Sequence, residues 1–162
     1  MALPPSVDIA AAQAAQRKWR VPTSVQRVQD LIESSYGAHE PAGSLNPFGI
    51  KAKPGDPFVL SRTREEDKAG HSYFIQARFR KFATLEEAFD LHARLLATAP
   101  VYALAMAALR ADTPATHAAV VLRFIQLMAP HYATAHNYAD VLWRNVQPLL
   151  HLDQLPAVAR AA

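Results

Sequence analysis

Two neighbouring stretches, Leu31-Ile32-Glu33-Ser34-Ser35-Tyr36-Gly37 and Asn46-Pro47-Phe48-Gly49-Ile50-Lys51-Ala52, are the most informative part of this chain. The first places one carboxylate, Glu33, near the end of a segment with helical apolar periodicity. A carboxyl group beside apolar side chains can have a raised pKa, which is what general-acid chemistry requires. Helix geometry puts Glu33 at the margin of the apolar face, beside Gln26 and Gln29, and position alone favours an ordinary surface glutamate.

Helix signals precede this stretch and continue into it. Ser6 is predicted to cap a first helix over residues 7–19. Thr23 or Ser24 is predicted to cap a second helix that ends at Gly37. Residues 38–57 are rich in glycine, proline and asparagine, so they are predicted to form a loop.

A small β-hairpin is predicted after the loop. Residues 58–63 and 73–82 have strand character, and Asp67-Lys68-Ala69-Gly70 provides a turn between them. The remainder is predicted to be helical, beginning with the capping box Thr84-Leu85-Glu86-Glu87. Further helices are predicted over residues 100–111, 112–128 and 134–143, the last capped by Thr134 and disturbed at Pro148. The fold class is therefore α+β, mostly α, with one short hairpin.

Length and composition predict one folded domain. The chain has 162 residues, 51% hydrophobic and 19% charged, which is typical of a globular protein. We expect a single domain over residues 1–162, with its core at about 7–147 and a frayed tail at 156–162. Cysteine is absent, which excludes disulfides, a cysteine-ligated zinc site and a thiol nucleophile.

The charge pattern argues against a nucleic-acid partner and the hydropathy against a membrane span. The net charge is +3, but the basic residues are scattered. No apolar run approaches the ~18 residues of a transmembrane helix. The first residues lack the basic region of a signal peptide, so we expect synthesis in the cytoplasm without one.

Other catalytic patterns are missing from the sequence. There is no His-Glu-x-x-His motif, and His131 and His136 are five residues apart, so no metal is predicted. There is no Gly-x-Ser-x-Gly elbow for a serine hydrolase and no glycine-rich phosphate loop.

Five motifs occur in a characteristic order: Glu33-Ser34-Ser35-Tyr36-Gly37, Asn46–Ala52, Thr63-Arg64-Glu65, Phe79-Arg80-Lys81-Phe82 followed by a capped helix, and Tyr132-Ala133-Thr134. Together they resemble the bacterial N-acetylglucosaminidase domain that cuts peptidoglycan, glycoside hydrolase family 73. The chain departs from the family pattern at three places, which affect sugar contacts rather than the catalytic acid: Pro47 in place of a second asparagine, Leu91 before the helix histidine, and Ala135-His136 in place of Asp-Pro.

The resemblance implies a lysozyme-like helical lobe with a small β-hairpin lobe and a cleft between them. It implies hydrolysis of the β-1,4 bond between N-acetylglucosamine and N-acetylmuramic acid, with a muramidase cut as the other possibility, and it implies no cofactor. Carried over residue by residue, Glu33 is the general acid and Glu65 the second carboxylate, for which Glu66 is a substitute. Tyr132 lines the sugar subsite, and Asn46, Phe48 and Tyr36 are further candidate substrate-binding residues. From the residues alone, Glu65 and Glu66 fit a solvated charged turn, Tyr132 fits a core tyrosine, and Tyr36 and Phe48 fit packing.

The implied partner is the glycan strand of peptidoglycan, cut by a monomer in the periplasm or cell wall. A lone catalytic domain suggests either a phage-type endolysin released through a holin or a secreted antibacterial effector with an immunity protein. Two alternatives stay open. One is a catalytically silent wall-binding or structural module of a phage or secretion machine. The other is a nucleic-acid-binding domain that uses Arg78 and Arg80 beside Phe79 and Phe82, although a solvated strand face explains these four residues as well.

Overall fold

The computed structural model describes residues 5–34, 39–67 and 69–155, with the backbone alone for residues 5–7, 65 and 66. Six α-helices, three 3₁₀ segments and one two-stranded antiparallel sheet lie in these ranges. The predicted α+β, mostly α architecture is confirmed. In chain order the elements are α1 Pro5–Trp19, α2 Thr23–Ser34, β1 Phe58–Glu66, β2 Ser72–Arg80, α3 Leu85–Thr98, α4 Ala103–Ala108, α5 His117–Tyr132 and α6 Tyr138–Val146.

The helical lobe has one main apolar core, to which α1 to α6 all contribute. Helix α2 lies inside this lobe and packs against α1, α6 and the 3₁₀ segment Gln147–Asp153. The largest fully buried apolar side chains are Phe89, Leu96, Phe124, Ile125, Met128 and Leu142. These residues come from α3, α5 and α6, so the core joins the middle of the chain to its last helices.

Helix α2 is buried more completely than its sequence pattern predicts. Val25 and Val28 have no exposed area, as expected for the apolar face. Gln26 and Gln29, which were placed at the margin beside Glu33, are also fully buried, whereas Ile32 is 37% exposed. The reason is that α2 has neighbours on several sides, and the Gln26 amide is satisfied there by donating to the carbonyls of Ala12 and Val21. A polar residue can occupy a core position when its hydrogen bonds are met.

The predicted caps of α2 are wrong, because Thr23 and Ser24 are its first two helical residues. Their N–H groups are bound by distant side chains instead. Thr23 donates its backbone N–H and its hydroxyl to Gln16 Oε1, each at 2.7 Å. Ser24 donates its N–H and hydroxyl to the two carboxylate oxygens of Asp153, also at 2.7 Å. The orphan donors of the first helical turn are thereby satisfied from outside the helix.

Several other predicted boundaries need correction. Helix α1 begins at Pro5, so Ser6 lies inside it and not at its cap, while proline is well suited to a first helical position. Helix α5 begins at His117, because Thr113 and Thr116 form a hydrogen-bonded turn that delays it. Helix α6 begins at Tyr138, four residues after the predicted cap Thr134.

Other sequence predictions hold at their main points. The Thr84 cap of α3 is confirmed, with the Thr84 hydroxyl accepting the Glu87 N–H at 3.2 Å, while the Glu87 carboxylate accepts the N–H of Ala83 at 3.0 Å and not that of Thr84. The disturbance at Pro148 is confirmed as a change from α-helix to the 3₁₀ segment Gln147–Asp153. The hairpin is confirmed, and β1 runs three residues beyond the predicted end. The tail 156–162 lies outside the described residues.

The loop after α2 attaches the hairpin to the helical lobe. Asn46 is fully buried, and its side-chain amide donates to the carbonyls of Ile50 at 2.8 Å and Arg80 at 2.9 Å. Its side-chain oxygen accepts the Ile50 N–H at 2.9 Å. Gly49 closes this turn with a φ of +60°, a conformation that favours glycine. The loop then runs beside β2, where Ala52 donates to the Arg78 carbonyl at 3.0 Å.

The helices of the described residues are short or polar compared with a membrane span. No single helix there is long and apolar enough to cross a bilayer. One pair of helices, Leu85–Thr98 and Pro100–Ala111, meets the length and composition test when taken together, with a bend of 70° between its members.

The cap of α2 extends to a histidine that makes its strength depend on pH. His117 bonds Asp153 through Nε2 at 3.0 Å and Asp112 through Nδ1 at 2.8 Å. Burial alone would lower the pKa of His117, but the two carboxylates outweigh burial and raise the pKa above its ordinary value. The stabilisation from His117 is therefore complete below the unfolded pKa of about 6.5 and is lost as pH rises through the higher folded pKa.

We expect His117→Gln to lower the free energy of unfolding at pH 6 by on the order of 1–2 kcal/mol, the worth of a hydrogen bond to a charged group. The loss should be smaller at pH 9, because at high pH His117 is neutral in both the folded and the unfolded state of the wild-type protein. Urea denaturation at the two pH values measures the difference. His131→Gln, at the exposed end of α5, is the control and should have little effect at either pH. A His117→Gln loss that stays constant or grows with pH would contradict the assignment.

Candidate active site

Glu33 lies at the C-terminal end of α2 and faces a pocket of about 220 Å³. The opposite wall of this pocket comes from the hairpin, through Ser61, Arg62, Thr63 and Phe79. The loop that follows α2 supplies the remaining wall. The hairpin therefore overhangs the Glu33 helix, as the sequence predicted.

The carboxyl group of Glu33 combines access to solvent with a raised pKa. The side chain is exposed at the pocket. Desolvation by the surrounding protein nevertheless raises its pKa above the ordinary value of 4.5. Because the wall removes part of the hydration that favours the charged form, Glu33 holds its proton to higher pH than a free glutamate does. An accessible carboxyl that stays protonated is the property a general acid needs.

A row of aromatic rings runs from the core to the neighbourhood of Glu33. The Tyr132 ring stacks on Tyr138 with centroids 5.6 Å apart, and the Tyr132 hydroxyl lies 3.3 Å from His92 Nε2. The His92 ring in turn stacks on Phe48 at 3.9 Å with an interplanar angle of 7°. Burial raises the pKa of both tyrosines, and the negative charge of Glu33 raises it further.

The side chains of this row carry no charge at neutral pH. Burial lowers the pKa of His92 to about 3, so its imidazole is uncharged at neutral pH. Burial is also the main cause that raises the pKa of Tyr132 and Tyr138, and their hydroxyls keep their protons. His92 Nδ1 and Tyr138 Oη have no hydrogen-bond partner among the described residues. The site therefore offers neutral hydrogen-bonding groups beside the carboxyl group of Glu33.

Asn46 and Phe48 take structural positions at this site. The Asn46 amide touches the pocket, but its two polar atoms are engaged by backbone groups of the loop and of β2. Phe48 is only 8% exposed and packs edge-on against Phe89 in addition to stacking on His92. Both residues support the wall of the site, Asn46 through its hydrogen bonds to backbone groups and Phe48 through its ring packing. Tyr36 lies outside the described residues.

Strand register assigns faces to the two hairpin glutamates. Glu65 pairs with Tyr73 and lies two residues beyond Thr63 and four beyond Ser61, while Glu66 pairs with Ser72. Because successive strand residues alternate faces, position 65 shares the pocket face with Ser61 and Thr63, and position 66 belongs to the opposite face. The side chains of both glutamates lie outside the described part of the chain.

Sequence reasoning missed three titratable residues at the site. Glu40 and His39 line the same pocket as Glu33, and His92 supports Tyr132. Desolvation raises the pKa of Glu40, and the nearby charges of Asp30 and Asp8 raise it further. The signal for Glu40 was slight, since it is one glutamate in an irregular loop. In the ranges that the structure describes, no group of three or more histidine, aspartate or glutamate side chains could hold a metal ion.

A buried ionic cluster supports the end of α2 beneath Glu33. Arg27 Nη1 lies 2.6 Å from Asp30 Oδ2 and 3.2 Å from Asp8 Oδ2. Asp30 Oδ1 accepts the Ser34 hydroxyl at 2.7 Å, and the Ser34 carbonyl accepts the His39 N–H at 2.8 Å. The cluster therefore fixes the helix residue next to Glu33 and the point where the pocket loop returns.

In both sequence and fold, the chain is similar to glucosaminidases and peptidoglycan hydrolases. Residues 9–148 match the family described as mannosyl-glycoprotein endo-beta-N-acetylglucosaminidase. Over 85 residues the chain is 36% identical to the exo-glucosaminidase LytG of Bacillus subtilis (strain 168), which covers 52% of this chain and 30% of LytG. The chain therefore spans less than a third of the length of this curated relative.

Solved structures share the fold. The catalytic domain of the autolysin Auto from Listeria monocytogenes superposes with a TM-score of 0.74 at 24% identity, covering 95% of this chain and 90% of that one. A peptidoglycan hydrolase mutant from Sphingomonas sp. A1 superposes with a TM-score of 0.68 at 27% identity, covering 90% and 96%. The likeness extends over both the helical lobe and the hairpin.

We expect Arg27→Met to lower the free energy of unfolding by about 3–5 kcal/mol at pH 7, because it leaves two buried carboxylates without their cation. Lys18→Met is the matched control. It breaks an exposed pair, Lys18 Nζ to Asp90 Oδ1 at 2.8 Å, and should cost about 1 kcal/mol or less. Burial already raises the pKa of Asp8 and Asp30, so the Arg27→Met loss should shrink in acid as they take up protons. Equal losses for the two variants in urea denaturation would contradict this account.

Proposed function

The chain belongs to the family described as mannosyl-glycoprotein endo-beta-N-acetylglucosaminidase, and we propose that it is a peptidoglycan hydrolase that cleaves the β-1,4 bond between N-acetylglucosamine and N-acetylmuramic acid. The observation that carries this proposal is Glu33, an accessible carboxyl with a raised pKa in the pocket beneath the hairpin. The similarity to a glucosaminidase and to a peptidoglycan hydrolase supports the substrate class.

In the proposed reaction Glu33 protonates the glycosidic oxygen as the bond to the sugar breaks. Its raised pKa favours the protonated form that this step consumes. The sugar carbon then carries oxocarbenium-like positive charge, and water completes the hydrolysis. Activity should accordingly fall as pH rises through the pKa of Glu33, since the ionised carboxylate has no proton to give.

Tyr132 is proposed to line the sugar subsite next to the acid. Its hydroxyl is held by His92 and its ring by Tyr138, which limits the orientations that it can adopt. A phenol that stays protonated can donate a hydrogen bond to a sugar oxygen without adding charge to the site. Asn46 and Phe48 would contribute by fixing the wall on which these groups stand.

Glu65 is proposed as the second carboxylate, which positions water or steadies the developing positive charge. The register of β1 supports this choice over Glu66, because position 65 shares the pocket face. Glu33 and Glu65 stand on different lobes, so we propose a separation greater than the ~5.5 Å of a retaining pair. A wider spacing leaves room for a water molecule, as an inverting reaction requires.

The proposed setting is the cell wall, where the chain would act as a monomeric catalytic domain on glycan strands in the periplasm. Two roles fit, a phage-type endolysin released with a holin and a secreted antibacterial effector restrained by an immunity protein. The genes beside this one separate them, since a pore-forming protein indicates the first and a small periplasmic inhibitor the second.

We expect Glu33→Gln to reduce hydrolysis of purified peptidoglycan by about two orders of magnitude or more, the usual worth of a general acid. The substitution keeps the size of the side chain and removes its titrating group, so the melting temperature should change little. Loss of turbidity of purified cell walls measures the rate. Near-normal lysis by this variant would refute the role of Glu33.

Digestion by the wild-type protein identifies the bond that is cut. Mass spectrometry of the released fragments should find new reducing ends on N-acetylglucosamine. New ends on N-acetylmuramic acid would make the enzyme a muramidase. Absence of any soluble fragment would favour a silent wall-binding module.

We expect Glu65→Gln to reduce activity strongly, though less completely than the Glu33 change, because its carboxylate assists water or charge and does not supply the proton. Glu66→Gln, one residue along the same strand, is the matched control and should do little. Steady-state rates on soluble glycan fragments measure both. A large loss of activity in Glu66→Gln, together with a small loss in Glu65→Gln, would make Glu66 the second carboxylate.

A further inference from the structure

The face of the hairpin that points away from the Glu33 pocket carries an unusual set of exposed side chains. Strand alternation and the β1–β2 register place Phe58, Leu60, Arg62, Phe74 and Arg78 on this outer face. Leu60 is 64% exposed, Phe74 58% and Phe58 39%. Contiguous exposed apolar side chains mixed with cations are typical of a surface that meets a partner.

Two arginines on the outer face are held by aromatic rings. Arg62 Cζ lies 4.1 Å from the Phe74 ring centroid, and Arg78 Cζ lies 3.8 Å from that of Phe58. Neither forms an ion pair with any described residue. Arg80 differs, because its guanidinium is paired with Asp56 at 3.1 Å.

This arrangement orients two guanidinium groups so that they can bind an anionic ligand. Stacking on a ring leaves the edge of the guanidinium free, and that edge can donate two parallel hydrogen bonds to a carboxylate. The rings also restrict the rotamers of both arginines, which reduces the conformational entropy lost when a ligand binds. Phe79 and Phe82, the two rings that the nucleic-acid alternative relied on, are buried and offer no stacking surface to a base.

Arg62 connects the outer face to the catalytic cleft. It lines the Glu33 pocket together with Ser61 and Thr63 while its guanidinium stacks on Phe74. Since β1 is an edge strand of the two-stranded sheet, Arg62 stands at the boundary between the cleft and the outer face. Peptidoglycan strands carry anionic groups, since their peptide stems bear free carboxylates.

We propose that the outer face of the hairpin binds the carboxylate-bearing peptide stems of the strand that is being cut, with Arg62 and Arg78 as the cationic contacts. The proposal rests on the proposed function, because it takes peptidoglycan as the polymer in the cleft. It adds a specificity for peptide-bearing glycan over naked glycan, supplied by a surface outside the Glu33 pocket.

Co-sedimentation with purified wall sacculi tests the proposal, with every protein in the Glu33→Gln background so that the polymer stays intact. Adding Arg62→Gln and Arg78→Gln together should weaken binding to peptide-bearing sacculi by about tenfold, the equivalent of a good charge-assisted contact. The control carries Arg110→Gln and Arg123→Gln, which remove the same charge from exposed helical positions. It should bind like the background protein, and equal weakening by both double variants would overturn the proposal.

Glycan strands from which an amidase has removed the peptides identify the ligand. On them, the hairpin double variant and the background protein should bind equally. If the tenfold difference persists on naked glycan, the arginines contact sugar and the proposal fails. It also fails if acid extraction of phosphodiester polymers from the sacculi abolishes the difference while the peptides remain. Stronger Arg62- and Arg78-dependent binding to anionic vesicles or to a single-stranded oligonucleotide than to sacculi would likewise overturn it.

Two further measurements separate a loss of binding from misfolding of the hairpin and from a loss of hydrolysis. Thermal melting of the hairpin double variant, and of Arg78→Lys as a milder change, shows that the hairpin is folded. Release of sugar fragments by the wild-type protein tests the proposed hydrolysis separately. Fragment release without peptide-dependent binding would reject this inference and leave the hydrolase function standing.

Discussion

The buried amide of Asn46 is the contact on which the two-lobe arrangement depends. Two of its three hydrogen bonds fix the turn at Ile50, and the third reaches the Arg80 carbonyl, so this side chain joins the loop after α2 to the end of β2. A fully satisfied buried amide is stable, but the same group becomes costly as soon as one partner is removed. Together with the backbone bonds from Ala52 to Arg78 and from Phe82 to Ser44, this contact holds the hairpin against the loop that lines the Glu33 pocket.

Much of this arrangement could be predicted from the sequence because its determinants are local. The helix cap at Thr84 uses residues three positions apart, and the hairpin follows from two apolar runs around a turn. Glu33 was found through its motif, and its raised pKa fits the partial burial that a general acid needs. The register of β1 also agrees with the expectation that Glu65, and not Glu66, is the residue of interest.

The rest depended on partners far along the chain. The buried state of Gln29 and of the Arg27 cluster follows from helices that surround α2, and no periodicity within α2 reports them. The neutral state of His92 results from burial against Phe48 and Tyr132, which are contributed by other elements. Side chains of this kind act through tertiary contacts that override the local pattern.

The cap on α2 bears on the order in which the protein assembles. Ser24 is bound by Asp153, 129 residues further along the chain, so the first turn of α2 is incomplete until the 3₁₀ segment containing Asp153 has been synthesised and has docked. Such long-range closure makes folding slower than the high helix content would suggest, because a large loop must be ordered before the contact forms. While the chain is still emerging from the ribosome, the helix that carries Glu33 is thus without its final support. The helix that carries Glu33 therefore gains its full support only after residue 153 has been made.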